Sequence, residues 1–228
     1  LDSMLWMGSY ADYALILEWS NQQPAKVRHY PVLDNPWRGR AFTVLPMSGS
    51  NQVLVGTGSG LVQLDVQQKE AVPFASKASL EPIWDTLQRS FVNHLYRNEA
   101  GIWIGTESGI FLWEKDADRI TFFNQQNGHL PYNRIRHMYE DEAGLFWLAT
   151  VGGGIIRWQP GLDGEKSSWV QLTEADGLSN NYTYAIYEDQ HGYLWISSDL
   201  GIMQLRKSDF QVKTYFTDDG LQHNEFNH

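Results

Sequence analysis

The chain has 228 residues, a net charge of −10 and no cysteine, with ten Trp, eleven Tyr and ten Phe. An acidic balance without clustered Lys and Arg excludes a protein that tracks nucleic-acid phosphates and disfavours docking on an anionic membrane surface. The missing cysteines exclude a disulfide frame and thiol chemistry, while the stiff aromatic side chains favour strands.

The chain opens on "MLWMGSYADYALIL", residues 4–17, which reads as the second strand of a unit followed by a third. It carries no basic leader region, and its apolar run "YALIL" is far short of a membrane span. "NQVLVGTGSGLVQL" follows at 51–64, then "GIWIGTESGIFLW" at 101–113, "LFWLATVGGGIIRW" at 145–158 and "YLWISSDLGIMQL" at 193–205. The phrase is anchored on Trp6, Leu54, Trp103, Trp147 and Trp195, at spacings of 48, 49, 44 and 48. A period in the forties with strand-like content is the signature of propeller blades.

Each unit resolves into four short strands. In the fourth, "RIRHMYED", "LFWLAT", "GIIRWQP" and "WVQLTEA" are separated by the turns "EAG" and "VGGG" and the loop "GLDGEKSS". In the fifth, "YTYAIYED", "YLWISS", "GIMQLRK" and "VKTYFTD" repeat the pattern. No segment couples a helical period to a capping box, so helices are expected to be nearly absent. The fold predicted is all-β, a single region over 1–228 of about five four-stranded antiparallel blades at 1–38 (partial), 39–88, 89–131, 132–179 and 180–228. Trp6, Trp103, Trp147 and Trp195 are expected as wedges between consecutive blades, and Gly109, Gly154 and Gly201 as positive-φ turn residues.

The first unit lacks an inner strand, and the tail "NEFNH" reads as the start of one. Too few residues remain to close a ring comfortably. The expectation is an open arc whose ends are covered by a second copy or by the rest of a longer parent chain.

"YRNEAGIWIGTESGI", "YEDEAGLFWLATVGGGI" and "YEDQHGYLWISSDLGI", with the connectors "DGLSNN" and "DGLQHNEFN", resemble the two-component regulator propeller repeat family. The resemblance covers residues 90–228 well, 50–65 fairly and 1–20 poorly. It implies a fragment of a larger, seven-bladed sensor in the periplasm or otherwise outside the cytoplasm. Such sensors belong to membrane-anchored histidine kinases, hybrid regulators or diguanylate cyclases. Output chemistry would then lie elsewhere in the parent.

Propeller ligands meet the loops that enter the innermost strands. Aligning the units places Arg40, Ser90, Asn133, Asn181 and Asn224 in one such slot. The amides either hydrogen-bond nearby backbone or ring a polar ligand, with Arg40 clamping an anionic group. Tyr132, Tyr182 and Tyr184 lie beside them, suited to stacking on a sugar or packing on a neighbouring blade. Trp84, in the long connector "LEPIWDTLQ", is the favoured exposed aromatic, with packing over a blade edge as the alternative. His94 and His137 share a slot in adjacent inner strands, but without a matching carboxylate they are expected as solvated channel residues rather than metal ligands. Asp141 and Asp189 precede hairpin glycines and read as turn residues, since no D-x-D-x-D-G loop is present.

No phosphate loop, nucleophile elbow or zinc motif is present, and no cofactor or metal is expected. The function expected is a ligand-sensing or interaction module without catalysis, its partner a small polar ligand such as an oligosaccharide. The alternative is a propeller enzyme of lyase or glycosidase type acting at the channel mouth.

Overall fold

The computed structural model describes residues 4–7, 13–20, 23–31, 40–47, 49–68, 70–74, 82–114 and 117–226. Three strands, β1 (Met4–Met7), β2 (Tyr13–Ser20) and β3 (Gln23–Pro31), form an antiparallel sheet. Four four-stranded sheets follow. They are β4 (Ala41–Pro46) to β7 (Glu70–Pro73), through β5 (Gln52–Thr57) and β6 (Gly60–Asp65); β8 (Val92–Asn98) to β11 (Arg119–Phe123), through β9 (Gly101–Thr106) and β10 (Ile110–Glu114); β12 (Ile135–Glu140) to β15 (Ser168–Leu172), through β13 (Phe146–Thr150) and β14 (Ile155–Gln159); and β16 (Thr183–Glu188) to β19 (Val212–Tyr215), through β17 (Tyr193–Ser198) and β18 (Ile202–Arg206). Each sheet pairs its strands in chain order, the all-β blade pattern expected from the repeat. Among the described residues no helix is long and apolar enough to cross a membrane.

Two compact units divide the chain, residues 1–106 with 111–122, and residues 107–110 with 123–228. In the first, Leu54, Leu61, Val92, Leu95, Ile102, Ile104 and Phe111 fill one buried cluster drawn from successive sheets. In the second, Trp147, Ala149 and Ile155 of one sheet pack with Ile186, Leu194, Ile196, Met203 and Leu205 of the next. The alternation of strands explains both, because every second residue of a strand faces the same neighbour.

The repeated Trp carries the wedge. Trp103 and Trp147 are each 1% exposed. Their indole N–H groups cannot be buried without partners, and the sequence supplies one five or six residues upstream. Trp103 Nε1 donates to Asn98 Oδ1 at 2.9 Å, Trp147 to Asp141 Oδ2 at 2.9 Å and Trp195 to Asp189 Oδ2 at 2.8 Å. The other oxygen of each aspartate closes the hairpin turn: Asp141 Oδ1 accepts from Ala143 and Leu145, and Asp189 Oδ1 from His191 and Tyr193. Both aspartates are therefore turn residues, as expected, and clasps for the Trp as well. The Trp195 bond, then the backbone bonds from Tyr193 and His191, hold the Asp189 carboxyl below its ordinary value. Trp195 is half-buried and stacks on Tyr215 of its own sheet. Trp6 pairs with Ile16 across β1 and β2; its side chain lies outside the described residues.

A hydroxyl ends each second strand. Thr57 Oγ1 donates to Gly60 O at 2.9 Å, Thr150 Oγ1 to Gly154 O at 2.7 Å and Ser198 Oγ to Gly201 O at 2.9 Å, all fully buried. Gly109, Gly154 and Gly201 all have positive φ, as the repeat predicted. At Gly154, with φ at 72°, a Cβ would sit 2.0 Å from Leu172 O, so no other residue fits there.

Trp84 departs from the sequence reading. It is not an exposed loop aromatic but sits on the one α-helix among the described residues, α1 (Pro82–Arg89), and is 5% exposed. Ile83, Trp84 and Leu87 recur at helical spacing, so one helix face turns all three inward. The Trp84 ring meets Phe74 at 5.5 Å, and Phe74 meets Trp113 at 4.8 Å. Trp84 belongs to the core and makes no ligand platform.

Truncating either buried Trp leaves a cavity. Trp147→Ala and Trp84→Ala are each expected to cost about 3–5 kcal/mol, and half-buried Trp195→Ala clearly less. Chemical denaturation midpoints of the three variants check the order; an unchanged midpoint for Trp147→Ala would remove it from the core.

Candidate functional site

The inner strands β12 and β16 begin at the same end of their sheets as the hairpin turns that follow β13 and β17. The register fixes this, with Ile135 opposite Thr150 and Thr183 opposite Ser198. A bridge from Val151 to Tyr182 brings the entry to β16 against the turn of the preceding sheet.

The recurrent Asn slot is occupied by a structural device. Asn133 Oδ1 accepts the Gln125 N–H at 2.7 Å, Asn181 Oδ1 the Glu174 N–H at 2.9 Å and Asn224 Oδ1 the Thr217 N–H at 2.8 Å. Each amide closes the connector seven or eight residues behind it. The main-chain carbonyls of the slot clamp the preceding blade: Gly60 N–H donates to Ser90 O, Gly154 to Asn181 O and Gly201 to Asn224 O. Of the two readings of these amides, hydrogen bonding to nearby backbone is the one the connectors display.

Arg40 falls outside that slot. It immediately precedes β4, whereas Ser90, Asn133 and Asn181 stand two residues before Val92, Ile135 and Thr183. The register partners of Arg40 are Phe91, Arg134 and Tyr182, and all four are exposed. The sequence alignment was one residue out here, as the register of Ala41 opposite Thr57 shows.

The tyrosines converge on the "VGGG" turn. Tyr132 Oη donates to Val151 O at 2.8 Å, and its ring lies where a Cβ on Gly153 would meet Cγ at 2.5 Å. A Cβ on Gly152 would stand 3.6 Å from Tyr182 Cζ, and Tyr182 is 45% exposed. Tyr184 Oη donates to Asp199 Oδ1 at 2.8 Å, and the Arg136 guanidinium lies 5.5 Å from the Tyr184 ring centre. Burial, then the Asp199 bond, push the Tyr184 phenol up to about 12, so it remains a proton donor at neutral pH. Arg134 pairs with Glu107 at 3.1 Å. Arg134, Arg136, Glu107 and Asp199 escaped the sequence reading. Their signal was the slot on either side of the first inner-strand residue, visible only once the register was fixed.

His137 is no channel acid or base. Its Nδ1 accepts the Ile186 N–H of the neighbouring inner strand at 3.4 Å, and its ring lies 5.1 Å from Tyr187. Thr43 Oγ1 fills the same role for Leu95 N–H in the other unit. Burial drives the His137 pKa down to about 4, keeping the imidazole neutral as an acceptor.

A second polar group locks the outer part of the same blade pair. Tyr139 Oη donates to Glu188 Oε2 at 3.0 Å, and Lys207 Nζ reaches Glu188 at 2.5 Å and Asp141 at 3.7 Å. These bonds join side chains of consecutive sheets, a structural rather than a ligand-facing arrangement.

Residues 129–152 and 177–199 match the family described as two component regulator propeller. Two stretches of the chain thus resemble the two component regulator propeller repeat. Over its whole length it is 21% identical to histidine kinase P4 of Formosa agariphila, and it spans 16% of that protein. The extracellular domain of the hybrid two component system BT3049 from B. thetaiotaomicron superposes with a TM-score of 0.73 at 20% identity, over 98% of this chain and 28% of that one. Virginiamycin B lyase from Staphylococcus aureus superposes with a TM-score of 0.62 at 12% identity, over 94% of this chain and 67% of that one. At such identities the superpositions establish the propeller fold alone. The matched segments run from the connector through the entry slot, the Asp–Trp clasp and the second strand, so the repeat signature is built from the residues that join blades.

The His137 acceptor makes stability depend on pH. Its folded pKa lies below the ordinary 6.5, so its contribution is complete above 6.5 and is lost as pH falls toward about 4. Thermal melts of wild type and His137→Gln are expected to converge over that window, the variant losing less on acidification. Parallel slopes would show that His137 does not titrate there.

Proposed function

We propose that this propeller region is the ligand-sensing part of a membrane-anchored signal-transduction receptor, held outside the cytoplasm and contributing recognition rather than catalysis. The observation that carries this reading is the pair of matched repeats, supported by the full-length likeness to a histidine kinase of which the chain spans 16%. Phosphoryl transfer in such a parent belongs to other domains. The likeness to an extracellular domain supports the placement outside the cytoplasm.

The ligand is a small polar molecule of saccharide type, taken up on the rim where β12 and β16 begin. Exposed Tyr182 offers a flat face for sugar C–H groups, and the Tyr184–Asp199 pair offers fixed donors and acceptors beside it. No cofactor is needed for such binding.

Contact with the rest of the parent, or with a second copy, has its own support. Tyr187 is 62% exposed and Trp195 half-buried, where their register partners Tyr139 and Trp147 lock to the following sheet. The same residue types, placed on the same strands, present a blade-joining face. The lyase likeness rests on fold alone and supports no catalytic reading.

Tyr182→Ala tests the rim. The exposed ring makes few core contacts, so the unfolding midpoint should stay within about 0.5 kcal/mol of wild type. Binding on an oligosaccharide array should fall to background. Array binding untouched by the substitution would place the ligand elsewhere.

A further inference from the structure

We infer that the two register slots flanking the first residue of each inner strand, Arg134 with Arg136 and Tyr182 with Tyr184, form a subsite for a saccharide bearing a carboxylate or sulfate. This rests on the proposed ligand-binding rim and names its chemistry.

The four side chains belong to adjacent inner strands at matching positions. Arg134 and Tyr182 precede Ile135 and Thr183; Arg136 and Tyr184 follow them. Ile135 and Thr183 are fully buried, so strand alternation turns their neighbours outward. A bulge at each of these points, between Ile135 and His137 and between Thr183 and Ala185, breaks the pairing to the second strand and aims the intervening residue off the sheet. The same bulge interrupts β4 and β8, so the repeat itself supplies this placement.

The chemistry of the patch is specific. The Arg136 guanidinium lies over the Tyr184 ring at 5.5 Å from its centre, within cation–π range. Arg134 is held by Glu107 through its Nε, with both side chains substantially exposed, at 45% and 30%. An exposed pair of this kind exchanges readily for a ligand anion in bidentate geometry. Gly152 and Gly153 let Tyr132 and Tyr182 pack directly on the turn, which fixes both rings at the edge of the patch.

Selectivity follows from the surroundings. The chain carries a net charge of −10, so an anion meets attraction only where arginines are placed locally. Asp199 stands beside Tyr184 with one oxygen accepting its hydroxyl, available to a sugar hydroxyl at the other. An anion at the Arg side and hydroxyls at the Asp side fix the orientation of one sugar residue. A purely neutral saccharide satisfies Tyr182 and Asp199 but leaves Arg134 to Glu107.

Isothermal titration of the 228-residue chain with oligogalacturonate, with the same oligomer fully methyl-esterified, and with a sulfated oligosaccharide tests this. Wild type is expected to bind one of the charged oligomers at least about tenfold more tightly than the ester, and the charged oligomer preferred identifies carboxylate or sulfate as the anion. Arg134→Gln/Arg136→Gln should bring the affinity for the charged oligomers down to that for the ester. Equal affinity for charged and uncharged oligomers overturns the anionic assignment; if that binding still disappears in Tyr182→Ala, the saccharide rim itself stands. Absence of binding to all three overturns both.

Discussion

The structure depends on one recurring side chain, a tryptophan buried at the seam between sheets and clasped by the turn that precedes it. Trp147 packs against Ile186, Leu194, Ile196 and Met203 of the next sheet while its N–H is taken by Asp141. Without the aspartate, burial would strand a polar N–H; without the tryptophan, two apolar sheet faces would be left with a cavity between them. The same oxygen pair shapes the hairpin, so turn, wedge and seam form together. This coupling explains why the matched family segments include the Asp–Gly–Trp stretch.

Around that seam, hydrogen bonds hold the strands that cannot be held by sheet pairing. Consecutive inner strands belong to different sheets, yet His137 accepts from Ile186 and Thr43 from Leu95. The Asn slot clamps the preceding turn through its carbonyl and the following connector through its side chain. A blade is thus tied to its neighbour at the rim by polar groups and at its middle by apolar ones.

Trp84 and the Asn slot show how a repeat can mislead. Trp84 occupies a connector longer than those that follow β11 and β15, and isolation from the repeat made it look free. The helix that buries it arises from Ile83, Trp84 and Leu87 on one face, a pattern too short to stand out against strand periodicity. Asn133, Asn181 and Asn224 recur in sequence because they recur in structure, each closing a connector of similar length.

The sequence by itself determined the blade repeat, its period, the burial of Trp103 and Trp147, the positive-φ glycines and the turn aspartates. These are local demands, a strand alternation, a tight turn or a wedge, and each is written in consecutive residues at a fixed spacing. Only the tertiary structure decided which residues face outward at the rim. A bulge of one residue in each inner strand shifts the facing of every side chain after it, and the register of β4 puts Arg40 one residue past the Asn slot. Such one-residue offsets leave the period almost unchanged but reverse which side of the sheet a residue faces. For that reason Tyr182 and Tyr184 could be named from the sequence, while Arg134, Arg136 and Asp199 could not be seen beside them until the strands were in register.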